Sequence, residues 1–418
     1  MLIFIDDFLL FKILIRVSVY RKVKIISIKK SKVLYYVGCI ITIMTRKNNP
    51  RKLLGHGEVL SLSAIEVEDM LGLDSAPNVT YSNGDIVNHI LNACSSKTSI
   101  SNVSDICKDA PTEGTIRHRL RNLDLEEVQD SLNEKLKIHA VETVPNRPYI
   151  CAIDIVQVPY YGKEKNSGDT IKTKPKQGTS RFFAYATIYL ILRNKRYTLA
   201  LKYVRKGETL REIVNFLIDE VQSAGLQIRR IYMDREFYNV KMINNLLKRK
   251  TAFIIPCVKR GSSGGIRKLL KGRKSYSTDY TMRSKDDEAT FQVNVVVKYS
   301  KDKYKEKGVK HFAYAVHDID IPIEKTFQEY RKRFAIESSY RIMNQARIHT
   351  STKNPALRLL YMGISFLLAN IWIYIQWTYL STPRQGGRQP VKWNFKTMLK
   401  QINRATEDKL GFADTIPI

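Results

Sequence analysis

Residue 149 marks a change of period that narrows the fold of this chain more than any other feature. From there, β-branched, aromatic and aliphatic runs replace helical spacing. YICAIDIVQVPYYG, RFFAYATIYLIL and RYTLALKYVRKG are strand-like, and the KEKNSGDTIKTKPKQGTS between the first two reads as a loop. ETLREIVNFLIDEVQSAG has helical spacing and stops at Gly225. IRRIYMDREF is again a strand, NVKMINNLLKRK a short helix and TAFIIPCVKR another strand. Three strands followed by helix, strand, helix and strand predict an α/β mixed sheet with helices packed on its faces.

Other segments surround this core. Residues 44–148 read as a helical N-terminal region, clearest over 84–140. There SNVSDICKD, a break at Ala110-Pro111 and TEGTIRHRLRNL follow one another, with Thr112 able to cap the second helix. That pattern fits a helix-turn-helix, which would turn Arg117, Arg119 and Arg121 toward DNA, and equally fits a structural hairpin. Residues 260–320 open with the basic, glycine-rich RGSSGGIRKLLKGRKS. They continue as two strand-like runs, FQVNVVVKYS and HFAYAVHDI, and so predict a small β-rich insertion. The core would then comprise 149–259 and 321–380, with 381–418 as a C-terminal tail. Residues 1–43 mix short apolar runs with lysines. They read either as sequence upstream of a true start at Met44 or as a basic arm on DNA. Leu359–Ile375 is an apolar run near the lower limit for a membrane span. Asn370 inside it and Arg358 at its border favour a buried core helix.

Charge selects the partner. Seventy Lys and Arg against 40 acidic residues leave +30, which calls for a polyanion, nucleic acid before a membrane surface. Residues 149–418 hold 50 basic and 23 acidic side chains, an excess of 27, so most phosphate contacts belong there. The five cysteines are scattered without a CxxC pair. This argues against a zinc site or disulfide framework and fits a reducing cytoplasm. No Rossmann or P-loop glycine fingerprint is present.

The chemistry concentrates in three acids and one helix. Asp154 interrupts the apolar strand CAIDIVQV, where a carboxylate is costly unless paired or bound to metal. Asp234 ends the apolar strand IYMDREF, the position at which α/β folds place their sites. Tyr330, Arg333 and Glu337, spaced i, i+3 and i+7 in FQEYRKRFAIESSYRIMNQARIHT, share one helical face. They present a phenol, a guanidinium and a carboxylate in a row. Each acid alone has an ordinary alternative as an edge or solvated residue, as do Glu236, Glu164 and Asp169. Together, three carboxylates from three elements have the donor chemistry to cage divalent cations for phosphodiester chemistry.

These residues resemble the DDE transposases of bacterial and archaeal insertion sequences, in particular the IS-four-like group with a Y-x2-R-x3-E-x6-K signature. Tyr330, Arg333 and Glu337 match its first three positions, and Asp154 and Asp234 match the family's two aspartates. The resemblance covers roughly 149–375. It implies an RNase H-like catalytic core with a β insertion before Glu337. It also implies a Mg2+-dependent endonuclease (Mn2+ able to substitute) that cleaves insertion-sequence ends and joins the freed 3′-hydroxyl to target DNA. Asp154, Asp234 and Glu337 would hold the metal, and Tyr330 and Arg333 the phosphates. Transposon ends and target DNA would be the partners, and a homodimer the synaptic assembly.

Two positions depart from the pattern. The final lysine is Asn344; Arg341, one turn after Glu337, is a substitute cation. The insertion-domain tryptophan of hairpin-forming members is absent, which leaves Tyr276, Tyr280 or Phe291 to stack a base. Two competing expectations stand beside the transposase: an RNase H-like nuclease that does not join strands, and a DNA-binding protein that has lost its catalysis.

Overall fold

The computed structural model describes residues 54–74, 79–163, 168–192, 195–299, 308–385, 387–389 and 391–413. The expectations for 1–43, the start at Met44 and Glu164 lie outside the described residues. By contact the chain divides between Leu53 and Leu54, and every described residue belongs to the second unit, Leu54–Ile418.

Five helices come first: α1 (His56–Leu71), α2 (Asn83–Ser96), α3 (Ile100–Ile106), α4 (Glu113–Arg119) and α5 (Leu125–Thr143). Their starts follow local chemistry. Ser82 caps α2 reciprocally with Asp85, Thr112 caps α4, and the Asp124 carboxylate accepts from two amides of α5.

The sheet then begins with β1 (Tyr149–Pro159), β2 (Ile171–Lys176), β3 (Thr179–Leu192) and β4 (Lys195–Val204). After these, α6 (Leu210–Ser223) leads to β5 (Ile228–Met233), and α7 (Val240–Lys248) to β6 (Phe253–Pro256). Four strands therefore precede the alternation, where the sequence predicted three. The loop expected over 163–180 contains β2, because Gln177 and Gly178 both take positive φ (51° and 78°). Two such residues close a two-residue hairpin onto β3, and the polar edge strand they create has no apolar run to announce it.

The insertion also holds one strand more than expected, β7 (Tyr276–Arg283), before β8 (Glu288–Tyr299) and β9 (Val309–His317). It does not stand apart from the core. β9 pairs antiparallel with β6, so one mixed sheet runs β2-β3-β1-β5-β6-β9-β8-β7, with β4 on the other half of the β3 edge that β2 uses. β1 is antiparallel to β3 and parallel to β5.

Two apolar clusters lie on opposite faces of this sheet. Alternate residues of β1 serve each: Ala152 faces one side, Cys151 and Ile153 the other. The second cluster packs under α6 and α7. The first is covered by the N-terminal helices, by α8 (Thr326–Arg331) and α9 (Ala335–Met343), and by α10 (Pro355–Thr378) and α11 (Phe395–Leu410).

α10 is long and apolar enough to cross a membrane by composition, and its most apolar window is 89% buried within the protein. Asn370 explains the polar interruption. Its side chain accepts from Thr198 N and donates to the carbonyls of Thr198 and Leu136, tying α10 to β4 and α5. Within the segment read as a C-terminal tail, 381–418, Phe395–Leu410 forms α11. Its buried Met398, Leu399 and Ile402 join the core of the N-terminal helices.

Candidate functional site

The sheet register brings the first two acids together. Ile153 pairs with Met233 as the last pair of the β1–β5 ladder, so Asp154, midway along β1, and Asp234, just past the end of β5, follow that pair side by side. Both fall on the face occupied by Ala152 and Tyr232, the face under α8 and α9. Asp234 is also the N-cap of a short 3-10 turn over Arg235–Phe237, its carboxylate accepting from the Arg235 amide.

The third acid comes from the helix. The stretch carrying Tyr330, Arg333 and Glu337 is not one uniform α-helix. A 3-10 turn, Lys332–Phe334, joins α8 to α9, with helical dihedrals kept throughout. The tightening leaves the spacing intact. Arg333 is buried at 5% exposure and reaches all three acids: 3.6 Å to Asp154, 4.0 Å to Asp234 and 3.8 Å to Glu337. Tyr330 and Phe334 flank its guanidinium, at 5.7 and 5.3 Å from the ring centroids.

Burial pushes the Asp154 carboxyl up to about 6. Arg333 and the Ile155 amide oppose the rise, and Asp234 and Glu236 add to it. The Asp154 partner on β3 is Thr187, whose hydroxyl hydrogen-bonds the Tyr340 hydroxyl of α9 at 2.7 Å. Asp154, Asp234, Glu236, Tyr340 and Asn344 line an open cleft of about 680 Å³ together with the cations Lys97, Lys176 and Arg347. The Oδ1 of Asn344 is buried and without a hydrogen-bond partner.

The remaining expected site residues scatter. Tyr330 is buried and its hydroxyl donates to the Met233 carbonyl at 3.3 Å, so it pins the helix to the end of β5 rather than offering a phenol to phosphate. Glu337 is 55% exposed at the edge and does not line the cleft. Arg341 points to solvent, with Ser338 as its neighbour at 3.3 Å. Asn344, the departure from the lysine pattern, does line the cleft. Arg117, Arg119 and Arg121 do not. Arg117 pairs with Glu113 of its own helix, and Arg119 is tied to Asn83 and to the carbonyls of Tyr81 and Asp74. Arg121 is exposed. Phe291 is 5% exposed and sits edge-on to Tyr280, so it is core and not a stacking platform.

Lys97, Lys176 and Arg347 escaped sequence reasoning. Lys97 arrives from the N-terminal helices, at the left-handed end of α2 (φ 56°), and Lys176 from the unforeseen β2. Only Arg347 carried a signal, as a further basic residue just past the Glu337 helix.

Carboxylate oxygens, with the unpartnered carbonyl of Asn344 nearby, are the hard donors that Mg2+ prefers. In the present arrangement the Arg333 guanidinium lies between the acids. Among the described residues no three His, Cys, Asp or Glu side chains converge closely enough to hold an ion.

The fold is similar to that of a piggyBac transposase, solved by cryo-electron microscopy as a synaptic complex with hairpin DNA. The match has a TM-score of 0.50 at 13% identity and covers 90% of this chain and 82% of that one. At that identity the likeness is one of fold. No protein-family model matches the sequence, and no curated protein sequence matches it.

Proposed function

We propose that this chain is a DDE transposase, which cuts DNA at the ends of an insertion sequence and joins the freed 3′-hydroxyls to target DNA. One observation carries the reading. Three acids far apart in sequence arrive from β1, the end of β5 and α9 at a single buried guanidinium. The order β4-β3-β1-β5-β6 supports an RNase H-like core, with β1 antiparallel to one neighbour and parallel to the other. The fold likeness supports the same class, and the spacing of Tyr330, Arg333 and Glu337 supports the narrower insertion-sequence group. DNA as partner and a dimeric synaptic assembly belong to this proposal.

Asp154, Asp234 and Glu337 would hold Mg2+ or Mn2+. Such an ion would supply charge neutralisation at the phosphodiester and lower the pKa of a water beside it. The chain's own residues do the rest. Lys97, Lys176 and Arg347 draw backbone phosphates into the cleft. Arg333, desolvated beneath the acids, balances their charge before DNA arrives. Water and then a 3′-hydroxyl attack, so no Ser, Tyr or Cys nucleophile is required.

Asp154→Asn tests this. End-containing DNA should still bind but no longer be nicked in Mg2+. A variant that nicks as well as the parent overturns the assignment. Joined products would separate a transposase from a nuclease that only cuts.

A second reading, a DNA-binding protein that has lost cleavage, is favoured by the position of Arg333 between the acids. Fe2+ in place of Mg2+ distinguishes the two. Backbone cuts at Asp154 and Asp234 support a metal site, and their absence supports the second reading.

A further inference from the structure

We propose that a second cleft, separate from the acids, binds single-stranded nucleic acid leading away from them. It has a volume of about 590 Å³ and meets the acidic cleft at Pro159, Gln177 and Arg347. That size falls in the range of sites that hold a small ligand, about that of one or two nucleotides.

Its electrostatics are one-sided. Among the described residues none of those lining it is acidic, while Arg347, His349, Lys353 and Arg358 all are basic or can become so. Arg347 is half-buried, lines both clefts and has no carboxylate partner among the described residues. Arg358 lies beneath the floor, its guanidinium 4.1 Å from the Phe183 centroid and 5.1 Å from that of Tyr160. Its Nε donates to the Thr352 carbonyl at 2.6 Å, which fixes the strap carrying His349 and Lys353. One buried and one half-buried guanidinium without a carboxylate beside them cost desolvation that a phosphate would offset.

The rim supplies a platform for a base. Tyr161 is 71% exposed, yet its hydroxyl donates to the Gln177 carbonyl at 2.8 Å, so the ring is held with a face to solvent. A phosphate between Arg347 and Lys353 with a base against Tyr161 combines the two terms that hold single strands, charge and stacking.

The proposal rests on the preceding section only in naming nucleic acid as the ligand class, and its test needs no catalysis. A fluorescent oligodeoxynucleotide carrying 5-iododeoxyuridine is titrated against the full chain in EDTA, with a duplex of the same sequence alongside. Arg347→Ala/Lys353→Ala should weaken single-strand binding at least tenfold and flatten its salt dependence by about 0.7 per lost contact. Tyr161→Ala should weaken it about tenfold, and ultraviolet light should cross-link the parent at Tyr161. Normal melting curves establish that the variants fold. Folded variants that bind the single strand like the parent, or a cross-link mapped elsewhere, overturn the proposal. Active Asp154→Asn protein would sink the transposase reading while leaving this cleft standing, and the reverse pattern would do the opposite.

Discussion

Asp154 would normally ionise near 3.8, and burial raises it to about 6. Between those values the native carboxyl holds its proton more tightly than the unfolded one. The stability it contributes is complete below about pH 4 and is lost as pH rises through about 6. Metal-free Asp154→Asn should therefore melt above the parent at about pH 7 to 8, by on the order of 1–3 kcal/mol, with the gap closing toward about pH 4. Melts in EDTA across that range check this, and a gap that ignores pH would count against a buried titrating carboxyl. Arg333 acts in the opposite sense. With Asp154 and Asp234 paired to it, Arg333→Gln strands buried negative charge and should cost about 3 kcal/mol near neutral pH. Acidification should recover part of that loss, and added Mg2+ should raise the melting temperature of the variant more than that of the parent. No Mg2+ response in either protein would argue against a divalent site. Asp154 was legible in the sequence because a carboxylate breaks an apolar strand. For Tyr330 the sequence showed only which helical face it shares, and not that its hydroxyl meets the Met233 carbonyl.

Elements show the same division. Strands that cross the core carry apolar runs on both faces, and β1, β3, β4, β5, β6, β8 and β9 were visible for that reason. β2 and β7 are partly exposed edge strands, polar enough to pass for loop, and only pairing reveals them. The α10 helix was legible in its burial though not in its tethers. Asn370, 1% exposed, satisfies the Thr198 amide in the middle of a strand. Asn370→Leu keeps the volume roughly constant and orphans that amide, along with the Thr198 and Leu136 carbonyls. A loss of about 2–3 kcal/mol is expected in urea melts. A neutral result would mean that water replaces the side chain. Gly363 gives an independent check on the same helix. A Cβ there would come within 2.2 Å of Leu132 on α5, so Gly363→Ala should destabilise by about 1–3 kcal/mol.

The whole molecule is held together by its two ends of described chain. α11 was invisible as an element because a short amphipathic segment beyond a Pro- and Gly-containing stretch reads as an appendage. Its residues nevertheless follow the i, i+3, i+4, i+7 rule, with Phe395, Met398, Leu399 and Ile402 buried. α11 packs against α1 and α2, and its side chains share one apolar cluster with the buried Leu60, Ile86 and Ile90 of those helices. Polar contacts fix the pairing. Asn92 donates to Thr406 at 2.9 Å, Lys108 N to the Gly411 carbonyl at 2.8 Å, and Ala413 N to the Ile106 carbonyl at 2.8 Å. Gly411 has φ at 67°, the left-handed region that favours glycine, and the Asp109 side chain would crowd a Cβ there. Lys97, one of the cations of the acidic cleft, follows directly from α2, so the order of the helical layer bears on the site. A chain ending at residue 391 should therefore not behave like a protein relieved of a tail. It should lose the cooperative melt of the helical layer and bind the dye that marks exposed apolar surface. It should also bind DNA more weakly even with every acid in place. Adding the peptide 392–413 back in trans should restore part of the melt. A truncated protein that is monomeric, stable and fully active would show that α11 lies on the surface of this fold without supporting it.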